Sequence, residues 1–194
     1  MRLTLTNYLT LLEENISKIH YLKCLKAMIT GRYGMSRYSY THTLNTVLTS
    51  GSHFYCKIGA CRHGDKCSKK HIRPVRSNTI VLYNMLHIPA SGLDQSSFED
   101  FYEDVYIEAC RFGAVRSMVV CENGNDHLKG NVYLHFEHPN EAQRAMDDFN
   151  TRWYDERPIY CDLTHIVDFR DAICRRHDQQ ACERGDECNF MHIR

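Results

Sequence analysis

The sequence has no net charge, no long apolar run and none of the common catalytic signatures. Its 24 basic and 24 acidic side chains cancel. The apolar residues near the start are interrupted by Glu13 and Glu14, well short of the ~20 residues a membrane span requires, so no membrane association is expected. There is no phosphate loop, no His-Glu-x-x-His helix and no nucleophile elbow, so the protein is not expected to be an enzyme. No cleavable signal segment is evident. The ten cysteines are therefore expected to stay reduced, in cytosol or nucleus, and to serve as metal ligands rather than disulfides.

What the sequence does have is cysteine and histidine at fixed separations. Cys174, Cys182, Cys188 and His192 are separated by seven, five and three residues. Three thiolates and an imidazole make a closed tetrahedral set for Zn²⁺, leaving no open position for a reactive water. So short a loop cannot bury a core of its own; bound metal has to supply its order, at on the order of 10–16 kcal/mol for structural zinc. The pattern occurs twice. Residues 60–71 and 181–192 agree at Ala60/Ala181, Cys61/Cys182, Gly64/Gly185, Asp65/Asp186, Cys67/Cys188 and His71/His192, which predicts a second zinc ion. Each Gly-Asp pair falls where the chain must turn between two ligands. The fourth ligand of the first site is open between His53, which has the matching spacing, and Cys56, which has the usual chemistry.

The zero net charge conceals a division. Residues 52–77 hold seven basic and one acidic side chain, whereas residues 78–168 hold six basic and sixteen acidic. A basic finger suits phosphates and an acidic middle repels them. Lys57, Arg62, Lys66, Lys69 and Lys70 lie among the first set of ligands, and Phe54 and Tyr55 just before it. Cations that follow a backbone, interleaved with rings on which bases stack, are what single-stranded RNA requires; the same rings could instead cover the metal. In the second finger Arg170, Arg175, Arg176 and Arg184 supply charge, and Phe190 is open to the same two roles.

Between the fingers the periodicity changes. Residues 79–85 read as a buried strand, 97–112 as a helix, 115–121 and 131–136 as strands, 140–152 as a second helix and 159–163 as a last strand. The order βαββαβ predicts an α+β, ferredoxin-like sheet domain over 78–166, with fingers at 50–77 and 167–194. Residues 1–45 form an N-terminal extension, helical or disordered, with Leu5, Leu9, Leu12, Ile16 and Ile19 near helical spacing.

The middle resembles the RNA recognition motif, with residues 80–85 and 129–136 in place of its two signature strands. The positions that ordinarily carry stacking rings hold Val81, Asn131 and Tyr133, so this sheet is expected to be a poor RNA platform. Beside it, Arg152-Trp153-Tyr154 follows the second helix and the first helix carries Glu103 and Asp104. An aromatic anchor beside acidic groups suits a partner peptide with its own aromatic and basic residues; Trp153 could equally cap the core.

Finger, degenerate RNA recognition motif, finger is the order of the small subunit of the splicing auxiliary factor that marks the 3′ splice site. The residues that carry the resemblance are Phe54-Tyr55, Lys57 to Asp65, Gly124 to His127, Gly130 to Tyr133, Asn150 to Trp153 and Val167 to His192. It covers about 50–194 and leaves the first 45 residues out. It implies a non-catalytic nuclear splicing subunit with two Zn²⁺ ions, whose fingers bind the AG of single-stranded pre-mRNA at an intron's end. It further implies that the middle domain binds the large auxiliary subunit through Arg152, Trp153 and Tyr154. By the same resemblance Phe54, Arg62, Ser68, Lys69, Arg170, Arg175, Asn189 and Phe190 are candidate RNA contacts. The family's first zinc cysteine aligns with Ser52, and an aromatic of its RNA pocket with Cys56. An RNA-binding finger protein of mRNA decay or export is the alternative.

Overall fold

The computed structural model describes residues 51–89 and 92–194. The extension at 1–45 lies outside the described residues. In chain order the elements are helix α1 (His53–Ile58), β1 (Thr79–Leu82), α2 (Gln95–Cys110), β2 (Val115–Val120), β3 (Val132–Phe136), α3 (Pro139–Phe149), β4 (Trp153–Tyr154), β5 (Arg157–Pro158) and β6 (Cys161–Thr164). The fold is α+β. Strands β2, β3, β1 and β6 lie side by side in that order, every neighbouring pair antiparallel, as the ferredoxin-like reading requires.

Element ends differ from the sequence expectation for local reasons. β1 stops at Leu82 rather than continuing to residue 85, because Asn84 turns into the left-handed region at φ +47°. Its backbone N–H is held there by Asn131 Oδ1 at 2.9 Å. Helix α3 begins on Pro139, whose fixed φ suits a first turn, and His138 and Glu141 close a capping box. It ends at Phe149 because Asn150 turns its amide outwards: Nδ2 donates to the carbonyls of Met146 and Cys161, and Oδ1 accepts from Cys161 N–H. The chain then makes a β4–β5 hairpin that the helical reading of 140–152 does not foresee.

All four residues of β1 are buried, which explains why it reads as a continuous apolar run rather than an alternating one. Ile80 and Leu82 face a core shared with Phe101 and Val105 of α2 and Ala142, Ala145 and Phe149 of α3. Val81 points the other way, into a second core with Tyr133, Cys121, Leu128 and Ile58, Ala60, Ile166, Phe169, Ala172 and Met191. The period-two geometry of a strand thus gives the sheet two apolar faces, one for the helices and one for the segments that carry the cysteines. Gly59 allows the close approach on that second face. It ends α1 at φ +75°, and a Cβ there would stand 2.7 Å from Thr164 Oγ1.

Tyr133 is fully buried where the two layers meet. Tyr133→Ala is expected to cost about 3–5 kcal/mol of stability, whereas Trp153→Ala, on the exposed hairpin, should stay within about 0.5 kcal/mol of the parent. Urea unfolding of the zinc-loaded protein measures both.

Candidate zinc-finger pair and nucleic-acid interface

The two cysteine-rich loops repeat one backbone. Gly64–Lys66 and Gly185–Glu187 are each a turn of 3-10 helix between the last two thiols of their loop, Cys61 and Cys67 or Cys182 and Cys188, with the glycine at φ +46° and +48°. In each, the glycine N–H donates to the carbonyl of the cysteine three residues before it, Cys61 at 2.9 Å and Cys182 at 3.2 Å. The next thiol then receives a backbone N–H two residues on: Lys69 donates to Cys67, holding that thiol below the ordinary cysteine value, and Phe190 donates to Cys188. Burial outweighs the latter and pushes the Cys188 thiol up to about 11.

In the C-terminal loop Cys174, Cys182, Cys188 and His192 bring one ligand atom each to within 4.8 Å of the others. Cys174 Sγ lies 3.8 Å from the sulfurs of both Cys182 and Cys188, the edge of a tetrahedron with Zn–S bonds of about 2.3 Å. His192 Nε2 is buried without a hydrogen-bond partner, a costly state for an imidazole nitrogen unless a metal takes it. The first loop gathers Cys61, Cys67 and His71 in the same way, with a 3.8 Å sulfur–sulfur edge and a buried, unpartnered His71 Nε2. These two groups fit two zinc ions.

The fourth corner of the first group is reached by neither expected side chain. His53 is exposed, and Cys56 is buried in α1 with its thiol pushed up by desolvation; neither belongs to the group. Ser52 stands there. Its N–H donates to Lys70 O, the residue before His71, at 2.9 Å, just as Cys174 N–H donates to Met191 O, the residue before His192, at 2.8 Å. Its hydroxyl donates to Cys61 Sγ at 3.5 Å.

Both imidazoles are oriented by stacked rings. His71 lies on Tyr55 at 4.4 Å between centroids, and His192 on His177 at 3.9 Å. His177 Nε2 in turn meets Glu122 Oε1 at 3.0 Å. The loop after β2 clasps the second finger. Asn123 Nδ2 donates to the carbonyls of Cys188 and Phe190 while its Oδ1 accepts from His192 N–H. Asn125 Nδ2 donates to the carbonyls of Asp186 and Cys188. The strand pattern over 115–121 and 131–136 does not foresee this grip; the asparagines at 123 and 125 are its one signal in the sequence.

The fingers lie side by side. Phe54 of α1 meets Phe190 edge-on at 6.2 Å, and Lys57 Nζ sits 5.3 Å over the Phe190 ring. Beside this contact runs a groove of about 550 Å³ lined by Lys57, Arg170, Arg175, Arg176, Arg184 and Phe190, with the carboxylates of Asp171 and Glu183 and the three cysteines of the second site also on its wall. Of the expected RNA contacts the groove brings together Arg170, Arg175 and Phe190, with Phe54 adjoining. Arg170 is already engaged by the Asp168 carboxylate. Arg62, Lys66, Ser68 and Lys69 are exposed on the first finger outside that lining, and Asn189 is half-buried with an unpartnered Oδ1.

Of the expected partner residues, Trp153 is 68% exposed and so does not cap the core. Arg152 Nη1 reaches Glu108 at 2.7 Å and Asp148 at 3.2 Å. Tyr154 packs edge-on against Phe101 and donates to Asp104 Oδ2 at 3.4 Å. These neighbours fasten the hairpin to α2 and leave the indole projecting; Glu103 is exposed on the same helix.

A sheet with helices on one face and two Cys/His metal loops on the other, its usual stacking positions buried beneath them, defines a paired CCCH-type finger protein built on a degenerate RNA-recognition-motif scaffold. Residues 169–194 match the family described as zinc finger C-x8-C-x5-C-x3-H type (and similar), with seven residues rather than eight in the first interval. Over 150 residues the chain is 46% identical to the splicing factor U2AF 23 kDa subunit of Schizosaccharomyces pombe, covering 73% of this chain and 69% of that protein. It is 40% identical to the U2af 38 kDa subunit of Drosophila melanogaster and 39% to the U2AF 26 kDa subunit of Rattus norvegicus, each over 73% of this chain, and spans 60% and 71% of their lengths. The chain belongs to the family of U2AF small subunits, which are splicing factors.

Asn123→Ala would strip the Phe190 carbonyl and the His192 N–H of their partner and leave the Cys188 carbonyl to Asn125 alone, at about 1–3 kcal/mol for such a loss. Zinc should leave the second finger for a chelator correspondingly faster, by roughly five- to a hundredfold. Release followed with a colorimetric zinc indicator measures it.

Proposed function

We propose that this protein is a non-catalytic, nuclear pre-mRNA splicing subunit that binds the AG of a 3′ splice site with its paired fingers and a large auxiliary subunit with its middle domain. The observation that carries the reading is the contact of the two fingers around one basic groove, where Phe54, Phe190, Lys57, Arg170 and Arg175 come together. A ring supplies a stacking surface for an unpaired base, worth about 1–3 kcal/mol, and guanidinium groups follow the phosphates on either side. Arg62, Lys66, Ser68 and Lys69 would extend that path over the first finger. Asn189 carries a buried amide oxygen without a partner, which would accept a hydrogen bond from a base edge once the side chain turns outward.

Splitting the work between two surfaces follows from charge. The middle domain is acidic and its sheet face is buried, so it offers RNA neither cations nor rings. It offers instead an exposed indole on a fastened hairpin, with Asp104, Glu103, Asp148 and Glu108 nearby. That combination suits a peptide of the large subunit that carries an aromatic to pack on Trp153 and basic groups to meet the carboxylates.

An RNA ending in UAG is expected to bind more tightly than one ending in UAC, with an affinity that falls steeply as salt rises. Fluorescence anisotropy over a salt series reads both, and equal binding of the two RNAs would refute the splice-site reading. Arg175→Glu should weaken both RNAs alike and flatten the salt slope, as loss of a phosphate contact does. Trp153→Ala should weaken association with the large subunit by about 30-fold or more while zinc content and RNA binding stay as in the parent. Calorimetry with the large-subunit peptide tests this, and unchanged affinity in the folded variant would discard the anchor.

A further inference from the structure

We propose that the two zinc ions of this protein are held unequally: the first by three protein ligands, Cys61, Cys67 and His71, with the Ser52 hydroxyl at the fourth corner, so that it exchanges while the second is retained. The inference does not depend on which RNA the fingers bind.

The argument rests on equivalence of backbone and difference of donor. Ser52 and Cys174 make the same hydrogen bond to the residue before the ligand histidine, at 2.9 and 2.8 Å, so they occupy the same corner of the repeated loop. Ser52 is 4% exposed, and its oxygen already lies 3.5 Å from Cys61 Sγ. A serine hydroxyl keeps its proton at neutral pH, however, and presents Zn²⁺ with a neutral oxygen where Cys174 presents a thiolate. The first site therefore balances the ion with two negative charges and the second with three. Perturbing partners that merely surround a metal costs about 10–100-fold in affinity, so replacing a direct thiolate by a hydroxyl should cost at least about 100-fold. Both substitutes for that thiolate lie elsewhere: His53 is exposed to solvent and Cys56 is buried within α1.

Burial differs in the same direction. The second site has Cys174, Cys188 and His192 buried and Cys182 half-buried. The first has Cys61 buried, with Cys67 and His71 half-buried. A chelator or a competing thiol can thus approach the first ion past Cys67 and His71, its two half-buried ligands, whereas the Ser52 corner itself is buried.

The test is competition for zinc in the full-length, zinc-loaded protein. Titration with a chelator of graded strength should remove one zinc per chain first, and the second only at about 100-fold or more greater competition. Ser52→Cys should merge the two classes at the tighter level, and Cys56→Ala should change neither. Cobalt substitution gives an independent reading. Five thiolates contribute to the sulfur-to-cobalt absorption in the parent and six in Ser52→Cys, so the band should rise by about one fifth. A parent protein that releases both ions together, or a Cys56→Ala variant that loses one zinc, would overturn the proposal. The parent titration decides it even should Ser52→Cys fail to fold.

Discussion

Tyr133 and Val81 are sealed between the sheet and the fingers, and the placement of everything that could touch RNA follows from that burial. In an open RNA-recognition-motif sheet this face carries exposed rings for bases. Here the same face is apolar and covered, by Ile58 and Ala60 from the first finger on one side and by Phe169, Ala172 and Met191 from the second finger on the other. Each finger is too small to bury a core of its own. Resting on a shared apolar floor solves that for both and, in the same step, fixes the distance between them. The floor sets position and the metals set the internal shape of each loop.

Directional bonds then remove the freedom that apolar contact leaves. The backbone of Cys121 bridges to Ile193, and Glu122 N–H donates to His192 O at 2.8 Å, so the end of the chain continues the sheet beyond β2. Asn123 and Asn125 hold the carbonyls of the second loop from the side. Some of the scaffold's excess carboxylates are paired within it, Glu108 and Asp148 with Arg152 and Glu137 with Arg116, and Asp162 reaches Arg73 of the first finger segment. Positive charge is concentrated on the finger side, where Arg170, Arg175, Arg176 and Arg184 share one groove. On the proposed reading, an acidic scaffold beside a basic first finger would favour a nucleic acid at one surface and a basic peptide at another.

The elements with strong local signals were legible in advance. Helix α2, the four sheet strands and both loop repeats announce themselves through periodicity and ligand spacing, because those patterns act over a few residues. What the sequence hid depends on contacts between distant residues. The β4–β5 hairpin follows from Asn150 reaching Cys161. The end of β1 follows from Asn131 reaching Asn84. The covering of Val81 and Tyr133 could be expected only as the absence of rings, since a buried apolar face and a degenerate binding face look alike in one dimension. The fourth corner of the first site was hidden for another reason. Spacing favoured His53 and chemistry favoured Cys56, whereas the backbone bond to Lys70 selects Ser52, which has the position without the usual donor.

That selection bears on how the chain would tolerate the weaker first metal site proposed above. Ser52 is also the N-cap of α1, its oxygen accepting from Tyr55 N–H at 3.5 Å, a role serine fills well and worth about 1 kcal/mol at ordinary cap geometry. Helix α1 is further held by Ile58, fully buried against the sheet, and by the Gly59 cap. The residues that this finger lends to the groove, Phe54 and Lys57, both sit on α1 rather than on the loop between the thiols. Their positions are therefore governed by apolar burial and helix capping more than by the first zinc ion. The second finger has no comparable helix: its groove residues Arg175, Arg184 and Phe190 lie between its ligands, in a loop whose backbone the Asn123 and Asn125 side chains hold from the scaffold and whose interior a metal would close.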